Sequence, residues 1–387
     1  MKKICIVTTT RAEYGLLKLL TEELLRDAFF EVCLVATGTH LEKEYGYTIQ
    51  EIQRDGIPIT EQIRIFNGDY SKAGICAAMG RASVLFGEMF LRQKPDCLIV
   101  LGDRYELIPI CTCAVIHEIP IAHISGGEIT EGAIDDMVRH AVTKMSYFHF
   151  VACEAYRKRV IQLGEHPDRV FNYGDVGVEN IRKMKFLSKK EIEERIGKKL
   201  QLPYACVTFH PVTLESTDVK KQMEELLDCM KQMTDIYFIV TMANADFQGD
   251  VINQMWEAAA ENLENVKLFQ SLGSKCYLSL MKDAEFVLGN SSSGIIEAPC
   301  FGIPTVNIGK RQSGRLHAAS VIDCEPQREA IKAAIITAMS DDFKKSAKEA
   351  VNPYGDGDTS IKIADALKKA FQNHEIQAKL FYDLERI

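Results

Sequence analysis

Short runs of β-branched and aliphatic residues alternate with stretches whose leucines recur at helical spacing, almost from the first residue. "KICIVTT" reads as a strand, "YGLLKLLTEELLRD" as an amphipathic helix, "FEVCLVATG" as a strand, and "AAMGRASVLFGEMFLRQKP" as a helix. "DCLIVLGD", "LIPICTCAVIHEI", "PIAHISGGE", "DMVRHAVTKMSYF" and "HFVAC" continue the alternation. Such βαβα order predicts a parallel sheet with helices on both faces. From about 180 to 201 the chain turns charged and helical ("ENIRKMKFLSKKEIEERIGKKLQ"), and a second alternating series follows, from "YACVTFHP" through "EFVLGN" to "IPTVNIG". The fold class expected is α/β, with two Rossmann-like parallel-sheet domains. Their expected extents are 1–180 and 181–365, with a helical segment 366–387 at the end.

The 387-residue length agrees with about two domains, and 47% hydrophobic with 26% charged residues is a globular composition. A net charge of -8 with no basic block disfavours nucleic acid as a partner, while leaving room for a small anion held by a few arginines and helix N-termini. The 12 cysteines are scattered, lack any CxxC pair and mostly sit in apolar runs, which predicts buried free thiols rather than disulfides or a metal site. "MKKICIVTTT" runs at once into "RAEYG", so it reads as a first strand and not a leader. No run of about 18 apolar residues stands out, and a cytoplasmic protein without a membrane partner is expected.

In open α/β sheets ligands meet the carboxyl ends of the strands, so the polar residues after each apolar run carry the interest. "TTTRAEYG" puts Arg11 before a helix, as a phosphate would favour, but it is not the GxGxxG fingerprint of a nicotinamide cofactor, and no cofactor is expected. "ATGTHLEKEYG" offers His40, and "LGDRYE" offers Asp103 as a base beside the fixed charge of Arg104. Glu128 follows the glycines of "HISGGE", and Asp135 and Asp136 open the helix of "IDDMVRH". Helix-dipole complementarity is a sufficient reason for Asp136. Asp103, Glu128 and Asp135 on successive strand-end loops are costly together unless a positive or protonated group sits among them.

In the second half "TFHPVTLES" places His210 after a strand. "VLGNSSSGIIEAP" reads as a phosphate cradle of backbone N–H groups and hydroxyls, formed by Ser291, Ser292, Ser293 and Gly294. Glu297, one turn into the following helix, suits a ribose, and "VNIGKRQSGR" adds Arg311 and Arg315. Nucleotide-sugar chemistry is the economical sum of these features.

With "TRAEYG", "LGDRYE", "GGEITEGAIDDMVRHAVTKM", "RVIQLGE", "FHPVT", "GNSSSG" and "RQSGR" in order, the chain resembles the UDP-N-acetylglucosamine 2-epimerase family, from Met1 to about Leu384. "GGE" with "IDDMVRH" resembles its hydrolysing branch, which makes N-acetylmannosamine for sialic acid synthesis. The resemblance implies a GT-B-like pair of domains with UDP in the cleft, a C-terminal helix returning to the first domain, and a homodimer or homotetramer. It implies catalytic roles for Asp103, Glu128, Asp135 and His210. It implies substrate contacts for Arg11, His40, Arg104, Asn244, Ser271, Ser291, Ser292, Glu297 and Arg311. The chain lacks the lysine some relatives carry after "MANADFQGD". A sister branch acting on UDP-N,N'-diacetylbacillosamine shares nearly every motif. A GT-B glycosyltransferase and a non-catalytic sugar-nucleotide sensor are the rival classes.

Overall fold

The computed structural model describes residues 1–130, 134–200, 203–211, 219–243, 249–355, 357–373, 376 and 378–384. Two compact units emerge: Met1–Asn180 with Tyr354–Ile387, and Ile181–Pro353. The first holds β1 (Lys2–Thr8), β2 (Phe30–Thr37), β3 (Glu61–Ile63), β4 (Cys97–Leu101), β5 (Ile121–Ile124), β6 (Phe148–Val151) and β7 (Val170–Asn172). The second holds β8 (Tyr204–Thr208), β9 (Tyr237–Thr241), β10 (Val266–Phe269), β11 (Phe286–Gly289), β12 (Thr305–Ile308) and β13 (Val321–Cys324). The sheet orders are β3-β2-β1-β4-β5-β6-β7 and β10-β9-β8-β11-β12-β13, and the strand pairs are parallel. Each is the doubly wound order, which reverses direction between β1 and β4 and between β8 and β11.

Helices on both faces leave the strands no solvent side, so they read as unbroken apolar runs; β4 and β8 are buried at every residue. The side-chain period of two survives as a division between faces. Ile4, Ile6, Cys97 and Ile99 enter one core of the first unit, and Cys5, Val7, Leu98 and Val100 enter the other. In the second unit Ala205 and Val207 lie opposite Cys206 in the same way. Every cysteine is free and most are buried; Cys76 is exposed. The helix Lys72–Gln93 is long and apolar enough to cross a membrane by length and composition, a property its interspersed glycines and charges hide in the sequence. One face of it, with Ala78, Ala82, Phe86 and Phe90, packs into the core of the first unit.

The chain rejoins the first unit at Tyr354, earlier than the expected boundary at 366. The reason is local: the Tyr354 carbonyl accepts from Asp175 N–H at 2.7 Å, and its hydroxyl lies 3.3 Å from that of Tyr156. The helix Thr359–Gln372 then buries Ile363, Leu367 and Phe371 in a core shared with Leu17, Leu20 and Leu24. Beyond it Lys379 ties the tail down, donating to the Lys144 and Ser146 carbonyls and lying 2.8 Å from Glu165. Glu165 is buried and also meets Lys144 at 2.8 Å and His149 at 2.9 Å. Burial pushes its carboxyl up, but His149, Lys144 and Lys379 outweigh burial and hold it at about 2.

Glu165 is thus more acidic in the fold than its ordinary 4.5, so its contribution to stability is complete above about 4.5 and is lost as the pH falls toward 2. Breaking such a buried pair from one side costs about 3–5 kcal/mol. Glu165→Gln should therefore lower the urea midpoint of the first unit and expose the tail at Lys379 to trypsin at pH 7, while at pH 2 the variant and the parent should unfold alike.

Candidate active site

The carboxyl ends of β1 and β4 lie side by side at the reversal point of the first sheet. Thr10 caps the helix Arg11–Arg26 in a capping box with Glu13. Glu13 is buried, and its Oε2 accepts from Thr9 N–H at 2.7 Å, Thr10 N–H at 3.1 Å and the Thr9 hydroxyl. Burial raises its carboxyl to about 7 against those donors. Arg11 stays exposed, 3.8 Å from Glu51. His40, expected among the substrate contacts, is wholly buried: Nε2 lies 3.0 Å from the Thr8 hydroxyl and Nδ1 2.8 Å from that of Thr48. Burial lowers it to about 4, so it is a neutral strut beneath the end of β1.

Asp103 and Arg104 do not pair with each other. Arg104 donates to both oxygens of the buried Glu106, at 2.8 and 3.2 Å, and its guanidinium lies 4.9 Å from the centre of the Tyr105 ring. Its charge is paired with Glu106 within the loop, while its side chain stays partly exposed. Asp103 Oδ2 instead accepts from Arg139 on the helix Ile134–Met145. Arg139 also donates to the Glu128 carbonyl at 3.1 Å and the Thr130 hydroxyl at 3.0 Å. Arg139 thus places a positive charge against Asp103 and beside the backbone of Glu128, and Asp135 lies four residues before it on the same helix face. Asp136 accepts from Thr130 N–H at 2.8 Å and lies 3.5 Å from Arg139, which makes it a fastening of the helix start.

The backbone around these acids is held in uncommon conformations. Gly102 and Gly127 have φ of 78° and 80°, and Ser125 adopts φ 63° without being glycine. A Cβ on Gly127 would stand 2.7 Å from the Tyr156 carbonyl oxygen. His123, fully buried in β5, donates from Nε2 to the Gly102 carbonyl at 2.7 Å, which leaves Nδ1 to accept from the Thr143 hydroxyl at 3.1 Å. Burial lowers this ring to about 3, so the tautomer that grips the residue before Asp103 persists at neutral pH.

In the second unit the ends of β8 and β11 are joined by Asn290. Its Oδ1 accepts from His210 N–H at 2.7 Å and its Nδ2 donates to the His210 carbonyl at 2.8 Å. The Asn290 carbonyl takes Arg311 at 3.0 Å and the buried Gln312 at 2.8 Å. Gly289, at φ 131°, lets β11 pass so close to β8 that a Cβ would overlap the Thr208 carbonyl oxygen. The helix after the serines is shorter than expected, Ser293–Ile296, so Glu297 follows it rather than lying inside it. Gly294 and Ile295 N–H close on the Ser291 and Ser292 carbonyls, at 3.2 and 3.0 Å, which leaves less of a backbone cradle than the sequence suggests. Ser293 Oγ lies 3.1 Å from Ser291 Oγ and 3.0 Å from the hydroxyl of the half-buried Tyr277. Ser271 is exposed at the end of β10, accepting from Gly273 N–H, and Asn244 lies outside the described residues.

Each unit thus carries its polar constellation where its sheet reverses: acids with one buried arginine in the first, and a histidine, serines and an arginine around an asparagine clamp in the second. Arg139, His123, Glu13 and Asn290 are buried members of these constellations that the motif reading does not single out. A signal for two of them is present in the chain, since "IDDMVRH" carries Arg139 four residues after Asp135 and "GNSSSG" has Asn290 between its first glycine and the serines.

Known proteins match most of this chain. The family model described as UDP-N-acetylglucosamine 2-epimerase matches residues 22–368. The GDP/UDP-N,N'-diacetylbacillosamine 2-epimerase (hydrolyzing) of Campylobacter jejuni is 42% identical over 84% of each chain. The polysialic acid biosynthesis protein P7 of Escherichia coli is 36% identical over 99% of this chain and 98% of its own. The crystal structure of UDP-GlcNAc 2-epimerase from Neisseria meningitidis bound to UDP-GlcNAc superposes with a TM-score of 0.77 at 19% identity, over 95% of this chain and 100% of that one. On the extent of the family match and the identity to both relatives, the chain belongs to the UDP-N-acetylglucosamine 2-epimerase family.

Proposed function

We propose that the protein is a hydrolysing 2-epimerase that takes a UDP-linked 2-acetamido sugar of gluco configuration and releases UDP and the free sugar inverted at C2. The observation that supports this reading is that the buried Arg139 holds the Asp103 carboxylate and the Glu128 backbone carbonyl from the helix that also carries Asp135, which brings the segments of three acids together. Binding alone does not call for such a set; inversion at C2 requires proton transfer on both faces of the ring.

The C2 hydrogen of the sugar is not acidic enough for direct removal at neutral pH, so departure of UDP has to drive the reaction. As the C1–O bond breaks, developing positive charge at C1 acidifies C2–H, and a carboxylate removes that proton to give a 2-acetamidoglucal. Water then adds at C1 while a proton is delivered to C2 from the opposite face. Asp103, Glu128 and Asp135 divide these transfers among themselves. His210, the serines and Arg311 stabilise the charge that grows on the leaving diphosphate.

For the sugar, the relative at 42% identity favours the N,N'-diacetylbacillosamine nucleotide. The relative named for polysialic acid biosynthesis supports the UDP-N-acetylglucosamine that the motifs suggest, with N-acetylmannosamine as product. Incubating the protein with each nucleotide sugar and separating the products tests both. Free C2-inverted sugar with one UDP per turnover supports the proposal; recovery of intact nucleotide sugar from both incubations contradicts it.

Asp103→Asn, Glu128→Gln and Asp135→Asn should each lower kcat by about 10²-fold or more, read as UDP release, because each amide loses a proton-transfer group. Asn290→Leu removes both bonds to the His210 backbone, worth about 1–3 kcal/mol in a buried setting. Calorimetric titration with UDP should then show at least a several-fold weaker Kd, whereas unchanged affinity would separate Asn290 from nucleotide binding.

A further inference from the structure

Arg139 has a place in this chemistry that neither its charge nor its motif assigns. Its side chain is 4% exposed, so it cannot reach out to a ligand as a surface clamp would. Each of its contacts is instead to a segment that carries or adjoins a candidate acid: the Asp103 carboxylate after β4, the Glu128 carbonyl and Thr130 hydroxyl after β5, and Asp136 beside Asp135 on its own helix. We propose that Arg139 is the positioning residue of the reaction, setting Asp103, Glu128 and Asp135 in register with one another through a single rigid guanidinium. The proposal rests on the reading of the site as a 2-epimerase.

The planar fork explains why arginine stands here. NH2 serves both Asp103 and Thr130, and NH1 serves the Glu128 carbonyl, so two nitrogens fix three groups from two loops. An ammonium on a flexible stem has no such fixed geometry. The same bond selects the working oxygen of Asp103: Oδ2 is taken by the guanidinium, so a proton arriving at or leaving Asp103 passes through Oδ1. The second support comes from beneath, where His123 grips the Gly102 carbonyl and Thr143 one helical turn beyond Arg139. Asp103 is thereby fixed through its side chain by Arg139 and through the preceding carbonyl by His123, both references lying on β5 or the helix Ile134–Met145.

Arg139→Lys keeps the charge in the core while losing the fork, and it is the decisive variant; Arg139→Ala accompanies it. A loss of register of the order of 1 Å costs about 10²-fold in rate. Arg139→Lys should therefore lower kcat by about 10²-fold with KM and UDP affinity within about threefold of the parent. It should also release a measurable fraction of 2-acetamidoglucal per UDP, since acids out of register let the intermediate escape before hydration. A parent-like kcat in Arg139→Lys overturns the proposal, as does a fall in kcat accompanied by an equal loss of UDP affinity, which would mark a general disturbance of the fold. A parent protein that does not turn over either nucleotide sugar overturns the 2-epimerase reading and this role with it, whereas an active parent isolates the role of Arg139.

Discussion

The whole molecule depends on the polarity of its two sheets. A parallel sheet sends all its carboxyl ends to one edge, and the doubly wound order parts the connections at that edge between the first strand and its neighbour across the reversal. In the first unit the parted ends are those of β1 and β4, and in the second those of β8 and β11. Chemistry-bearing residues separated by tens of positions in the chain, such as Asp103 and Arg139 or His210 and Asn290, meet there.

That constraint creates an electrostatic difficulty, which the structure meets with a small number of buried groups. Carboxylates gathered at one edge repel, and each loses hydration as the edge is enclosed. Arg104 is matched to Glu106 within its own loop, Glu13 accepts from three donors of Thr9 and Thr10, and Arg139 answers Asp103. The two buried histidines beside this edge are kept neutral by burial and act through fixed hydrogen bonds: His40 beneath β1 and His123 beneath β4. A 2-epimerase that must move protons on opposite faces of a sugar benefits from such a frame, because the acids are placed before the substrate arrives.

Much of this is legible in the chain. Unbroken apolar runs such as "DCLIVLG" announce the parallel strands that the two sheets contain, and the polar loops after them are where Asp103 and Glu128 lie. Three features are hidden for physical reasons. A histidine after a strand looks the same whether it faces a ligand or a core, and only the bonds of His40 to Thr8 and Thr48 decide. The serine run promises a helix N-terminus, yet Pro299 sits just beyond, where the chain leaves α geometry for a short 3₁₀ turn, so the helix ends at Ile296. The clamps Arg139 and Asn290 act through contacts 36 and 80 residues away in the chain, a range that periodicity does not reach.

The central claim is that inversion at C2 proceeds by elimination and hydration under the acids of the first unit. Proton NMR of the released sugar after turnover in D₂O tests it most directly, using whichever nucleotide sugar the protein consumes. The account predicts a free sugar inverted at C2 that carries one deuterium there, taken from solvent, alongside UDP. A released sugar that keeps its original hydrogen and configuration at C2 would contradict it and reduce the protein to a hydrolase of the nucleotide linkage alone.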